Sequence, residues 1–296
     1  MHFRCHGWLV SGFLAIACAP AQDVNFSADV KVVNLLATVQ DRNGAIVKDL
    51  TGDDFVLQED GRPQTIRYFS HESNLPLTIG LLVDTSCSQI RVLESERTAS
   101  YTFLDQVLRG NDLAFVLHFD SKVSLLQGFT SSRQEVSAAL AKLARPKHCG
   151  TLLFDAIHDA SEQLMKKQGG RKAFVLLSDG GDVRSKYSIG TAIEFAQRAD
   201  TIIYSILFAE RGRIGPLFRG RKIMRRLAEE TGGGYFAVSK DEPIEKIYAQ
   251  IEDELRNQYS IGYTPDAAEG KQFRKISLVA KRKDLVVRTR EGYYPK

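Results

Sequence analysis

The chain has 296 residues, 43% hydrophobic and 26% charged, the makeup of a globular protein, which excludes wholesale disorder. A net charge of +4 is small, and the densest basic segments, "RGRIGPLFRGRKIMRR" and "KRKDLVVRTR", lie apart. Neither belongs to a recognisable nucleic-acid module, so no nucleic-acid partner is expected.

The first residues, "MHFRCHGWLVSGFLAIACAPAQ", place basic Arg4 ahead of an apolar stretch from Trp8 to Ala17, with small residues at Ala17, Ala19 and Ala21. That layout predicts a signal peptide over residues 1–21, cleaved after Ala19 or Ala21. The apolar stretch is too short for a membrane-spanning helix, and no later segment is long and apolar enough. The expectation is an exported protein, periplasmic or secreted, without a transmembrane segment. Cys18 offers a lipoprotein anchor as the alternative, with Ala15 a weak match three residues before it. Cys5 and Cys18 would leave with the leader. Cys87 and Cys149 then remain, and in an oxidising compartment two thiols are disulfide candidates.

Residues 22–75 read as short alternating strands, "VKVVNLLATVQD", "DDFVLQEDG" and "QTIRYFSHE", with turns at "DRNG" and "EDGRP". From Pro76 the pattern becomes strand and helix in alternation. The runs "LTIGLLV", "LAFVLHF", "KAFVLLS", "TIIYSILF" and "YFAVS" predict strands buried on both faces. Between them amphipathic helices are expected near 89–108, 133–143, 152–166, 188–199, 220–230 and 242–257. The first would present Ile90, Leu93, Leu104 and Val107 on one face, and the last Ile244, Ile247, Tyr248, Ile251 and Leu255. "DLAFVLHF" and "VSLLQGF" are separated only by "DSK", too little for a parallel crossover, so this pair is an antiparallel edge hairpin. Residues 76–257 therefore predict a doubly wound, mostly parallel α/β sheet with one antiparallel edge strand. Strands return over residues 258–296 and are expected to pair with residues 22–75 in a small β domain.

In an open α/β sheet, ligands sit beyond the C-terminal ends of the strands. The first central strand ends in "DTSCS", offering Asp84, Ser86 and Ser88. A later strand ends in "SDGGD", offering Asp179, and "KHCGTLLFD" places Thr151 ahead of a helix. Two carboxylates and three hydroxyls form a hard-oxygen set suited to Mg²⁺ or Mn²⁺. Zinc is disfavoured because no histidine cluster accompanies them, and calcium usually takes more carboxylate or carbonyl oxygens. With only two carboxylates, a bound divalent ion would stay electrophilic and accept a carboxylate from a protein partner.

Asp-x-Ser-x-Ser after the first strand, Gly-Thr before a helix and "SDGGD" after a central strand together resemble the von Willebrand factor type A domain and its metal-ion-dependent adhesion site. The resemblance covers about residues 76–257. It implies a Rossmann-like sheet, a Mg²⁺ or Mn²⁺ ion, and metal ligation by Asp84, Ser86, Ser88, Thr151 and Asp179, the two serines directly. Cys87 stands where glycine is common in that motif. The flanks, "DLTGDDFVLQEDGRPQTI" and "QYSIGYTP", are similar to those of a bacterial exported subfamily.

Each residue also has an ordinary role: Asp and Ser cap helices, Thr151 would cap a helix starting at Leu152, and Asp179 would start a turn. All five together, in order and on the right elements, favour the site. Cys87 and Cys149 neighbour the proposed ligands, so either a disulfide clips their loops, contributing ~3–4 kcal/mol, or they are two small buried thiols. The expected function is an exported metal-dependent adhesion or scaffold module, not an enzyme. The alternatives are a Mg²⁺-dependent hydrolase, with Asp84 as nucleophile or Asp179 as base, and a scaffold with a purely structural metal. Against the hydrolase, Ser86 stands where an aspartyl-phosphate phosphatase usually has a second aspartate. No phosphate-cradling glycine loop follows any strand, and neither His118 nor His148 is nominated as a base for Cys87.

Overall fold

Strand β1 (Val33–Gln40) alternates as the sequence suggests, burying Val33, Leu35, Ala37 and Val39. The computed structural model describes residues 32–71, 75–208, 214–265 and 272–295. The expected leader, with Cys5 and Cys18, lies outside the described residues. Strand β2 (Phe55–Glu59) pairs with β3 (Arg62–Gln64) in register Glu59↔Arg62. The two residues between them, Asp60 and Gly61, have φ of 49° and 78°. Positive φ at both positions is what a two-residue hairpin needs to match strand twist, and Asp-Gly supplies it cheaply. Strand β4 (Tyr68–Ser70) completes the N-terminal group.

The α/β part follows in the order β5 (Leu77–Asp84), α1 (Leu93–Val107), β6 (Leu113–Phe119), β7 (Val123–Thr130), α2 (Arg133–Leu140), α3 (Leu153–Asp159), β8 (Arg171–Ser178), α4 (Ile189–Arg198), β9 (Thr201–Leu207), α5 (Ile214–Thr231), β10 (Tyr235–Ala237) and α6 (Ile244–Arg256). Its six strands lie in the order β10-β9-β8-β5-β6-β7. All pairings are parallel except β6–β7, the edge hairpin. Every residue of β5, β8 and β9 is buried, because helices cover both faces. One apolar core lies on the side of α1, α2 and α6, around Leu81, Phe103 and Ile251; the other lies on the side of α3, α4 and α5, around Leu82, Phe174 and Met224.

From β5 the chain winds toward β6 and β7, and from β8 toward β9 and β10. The direction of winding reverses between β5 and β8, which opens a crevice at their C-terminal ends. Asp84 ends β5 and Asp179 directly follows β8.

Helix boundaries shift from expectation for local reasons. Residues 89–92 form turns, so α1 begins at Leu93 and Ile90 is half-buried ahead of it. Beyond α3, a wider turn (Ala160–Leu164) and a tighter one (Met165–Lys167) replace regular helix. Helix α5 begins earlier than expected, running through Gly215 and Pro216, because proline fits a first helical turn, where its missing N–H has no partner to lose.

Strands β11 (Tyr259–Tyr263), β12 (Arg274–Ala280), β13 (Val286–Arg288) and β14 (Gly292–Tyr293) return to the N-terminal group. They interleave with it in two four-stranded sheets, β13-β1-β11-β4 and β14-β12-β2-β3. Leu35, Leu57, Ile261 and Leu278 are buried in the shared core. The α/β part is thus inserted between two halves of a β-sandwich. Glu254 on α6 joins the two parts, accepting from Gln40 Nε2 at 3.1 Å and pairing with Arg288 Nη2 at 2.5 Å. Among the described residues no helix is long and apolar enough to cross a membrane.

Candidate metal site

Parallel pairing on both sides carries β5 to a fully buried end, so Asp84 meets the next loop with no solvent contact. Its Oδ1 accepts from the Ser86 backbone N–H at 2.9 Å, folding the chain back on itself. That turn aims the hydroxyls of Ser86 and Ser88 at each other, 3.1 Å apart. Asp84 Oδ2 accepts from Ser178 Oγ at 2.6 Å, and Ser178 Oγ in turn accepts from Gly180 N at 3.0 Å. Asp179 Oδ1 is held by Gly181 N at 2.8 Å. Ser178 therefore locks the two aspartate-bearing loops together across the crevice. It escapes sequence reasoning because a serine ending a strand is unremarkable by itself.

The carbonyl of buried Thr151 accepts from Val183 N at 2.7 Å, in an isolated antiparallel bridge to the loop after Asp179. Asp182 in that loop accepts from Phe154 N at 3.3 Å, and Asp155 of α3 accepts from Lys186 N at 2.8 Å. Cys149 is bonded to Cys87 through a disulfide with Cα atoms 5.4 Å apart, fastening the Thr151 loop to the Asp84–Ser88 loop. Cys87 is therefore not a free thiol. His118 Nδ1 is engaged with Thr85 Oγ1 at 2.9 Å. Asp84, Ser86 and Ser88 thus share one hydrogen-bonded turn, Asp179 is joined to it through Ser178, and Thr151 reaches it through backbone pairing and the disulfide.

Gly180 needs its lack of a side chain twice. Its φ of 76° suits glycine, and a Cβ there would stand 2.4 Å from the carbonyl oxygen of Gly220. The Asp179 loop consequently rests directly on the α5 backbone.

Burial pushes the Asp84 carboxyl up to about 7, with the nearby Asp179 charge adding to it and the hydrogen bonds from Ser178 and Ser86 opposing it. A dry carboxylate beside a second carboxylate calls for a cation. Among the described residues no three Asp, Glu, His or Cys side chains converge to hold a metal ion. Two carboxylates with three hydroxyls are donor types that suit a hard divalent ion.

No family model and no curated protein matches the sequence. Solved structures do match in fold. Proximal thread matrix protein 1 from the mussel byssus superposes with a TM-score of 0.53 at 14% identity, over 67% of this chain and 51% of that one. The same protein with a zinc-occupied MIDAS motif gives 0.51 at 15% identity, over 68% of this chain and 50% of that one. This chain thus spans about half of the mussel protein's length. The vWF domain of the type V pili tip protein Mfa5 from Porphyromonas gingivalis gives 0.51 at 12% identity, over 60% of this chain and 94% of that one. The six-stranded sheet with its flanking helices is a von Willebrand factor type A fold.

Proposed function

We propose that the protein is an exported, metal-ion-dependent protein-binding module of adhesion or scaffold type. In this reading Asp84, Ser86, Ser88, Thr151 and Asp179 hold Mg²⁺ or Mn²⁺. The observation that carries the proposal is the mutual fastening of three oxygen-bearing loops at the switch point, by the Ser178–Asp84 hydrogen bond, the Thr151–Val183 bridge and the Cys87–Cys149 disulfide. Such loops hold their donors in place before a ligand arrives, which lowers the ordering cost of binding. When bound, a divalent ion supplies a Lewis-acidic position for a carboxylate oxygen of an acidic residue on a partner protein. Ser88 and Asp179 are partly exposed, which leaves that side open to a partner.

A binding role is favoured over hydrolysis by the state of Asp84. It is fully buried and both its oxygens already accept hydrogen bonds, a poor arrangement for a nucleophile that must reach substrate. The test is calorimetric titration of Mg²⁺ and Mn²⁺ into metal-stripped protein, followed by pull-down with and without chelator. Saturable binding that is lost in Asp84→Ala, with chelator-sensitive partner capture, is the expected result. Absence of wild-type binding at millimolar metal would overturn the reading.

A further inference from the structure

Glu96 lies in the first turn of α1, where a glutamate normally reaches into water, yet it has 0% exposure. Neither of its carboxyl oxygens has a hydrogen-bond partner among the described residues. Full burial of a carboxyl with both oxygens unsatisfied is rare and costly.

The backbone leads directly from the metal loop to this residue. Gln89 N donates to Ser86 O at 2.9 Å, Val92 N to Gln89 O at 3.0 Å and Glu96 N to Val92 O at 2.9 Å. Glu96 thus lies two steps along this backbone hydrogen-bond chain from Gln89. Gln89 is 1% exposed; its Nε2 donates to the Phe208 carbonyl at 3.4 Å, while its Oε1 also has no partner among the described residues. Three orphaned acceptor oxygens therefore sit at the root of the metal loop, and all three call for a cation or for water. Burial above all, then the charges of Asp84 and Asp179, push the Glu96 carboxyl well above the carboxylate range.

We propose that Glu96 is a further carboxylate of the metal site, facing the bound ion from the buried side, behind Asp84 and Asp179. This rests on the metal-site reading above and deepens it. Among the described residues no three carboxylates converge on one point, so Glu96 acts on the ion through an intervening water. The consequence is that the buried Glu96 carboxyl strengthens the site's hold on a divalent ion before any partner arrives.

The test is Mn²⁺ titration, by calorimetry and by electron paramagnetic resonance of free Mn²⁺, of metal-stripped wild type, Glu96→Gln and Glu96→Met. Gln keeps the shape without the charge, and Met fills the space if the amide prevents folding. Mn²⁺ affinity should fall roughly 10–100-fold in either variant, the range for loss of an outer-sphere partner. Ser100→Ala, one turn further along the same face and hydrogen-bonded to Tyr248 at 3.1 Å, should leave it unchanged. Wild-type affinity in a folded neutral variant would overturn the role of Glu96 while leaving the five-residue site intact. Failure of wild type itself to bind would overturn both.

Discussion

Asp84 gives the metal-free protein a pH dependence opposite to that of an ordinary salt-bridged aspartate. In the unfolded chain it ionises near 3.8, and in the folded protein it keeps its proton to about 7. Between those values the native state binds more protons, so stability falls as pH rises through the window. Below it the penalty is absent; above it the penalty is complete. The gap between 3.8 and about 7 corresponds to about 4 kcal/mol at full burial. Asp179 is the charged neighbour that adds to the shift, and the buried Glu96 carboxyl is shifted in the same direction. The perturbation is Asp84→Asn, which keeps the size and can still pair with Ser178. Urea unfolding in chelator, followed from about pH 4 to about pH 8, should show wild type and variant nearly equal at the acid end. The variant should gain by about 4 kcal/mol at the alkaline end. Saturating Mg²⁺ should reverse the wild-type trend, since the ion competes with the Asp84 proton and its stabilisation grows as that proton leaves. Parallel wild-type and variant profiles in chelator would refute the reasoning, because they would mean that Asp84 ionises in the fold as readily as in the open chain.

Replacing Cys87 and Cys149 together by serine releases a cross-link between residues 62 apart. The chain-entropy model assigns such a link about 4 kcal/mol; non-reducing denaturation should show that loss, and an unchanged midpoint would contradict it. Gly180→Ala forces an L-residue to φ 76° and a methyl against the Gly220 carbonyl. A strained left-handed residue alone costs about 1–3 kcal/mol, so the variant should unfold earlier and bind Mn²⁺ more weakly, while Gly44→Ala, where nothing stands within 4 Å of a Cβ, should leave Mn²⁺ affinity unchanged.

Much of this architecture was legible in the sequence, and the reasons differ by element. The central strands were readable because burial on both faces demands unbroken apolar runs such as "LTIGLLV". The edge hairpin was readable because "DSK" is too short for any other connection. The stripe of α6 was also readable, since Ile244, Ile247, Tyr248, Ile251 and Leu255 are all buried. The α1 face was only half legible: Ser100 and Glu96 are buried beside Leu93 and Leu104, and polar residues on a helix suggest water until tertiary packing covers them. Ser178 and Glu96 escaped for the same reason. Their roles depend on what faces them across the crevice, and a linear pattern carries no record of that. Asp84, Ser86 and Ser88 were visible because a turn that presents three oxygens needs them two apart.

The interleaving of the two sandwich halves has a mechanical consequence. Strand β1 is held on one side by β13 and on the other by β11, in antiparallel ladders running Thr38↔Arg288 to Gln40↔Val286 and Val33↔Tyr263 to Ala37↔Tyr259. Tension applied at the start of β1 meets both ladders at once, so β1 is not drawn out of the sandwich without breaking them. Tension applied by a partner gripping the crevice enters at the ends of β5 and β8 instead. It leaves through the connections into β4 and β11, both strands of one sheet. The sandwich acts as a clasp for the first kind of pull and as an anchor plate for the second.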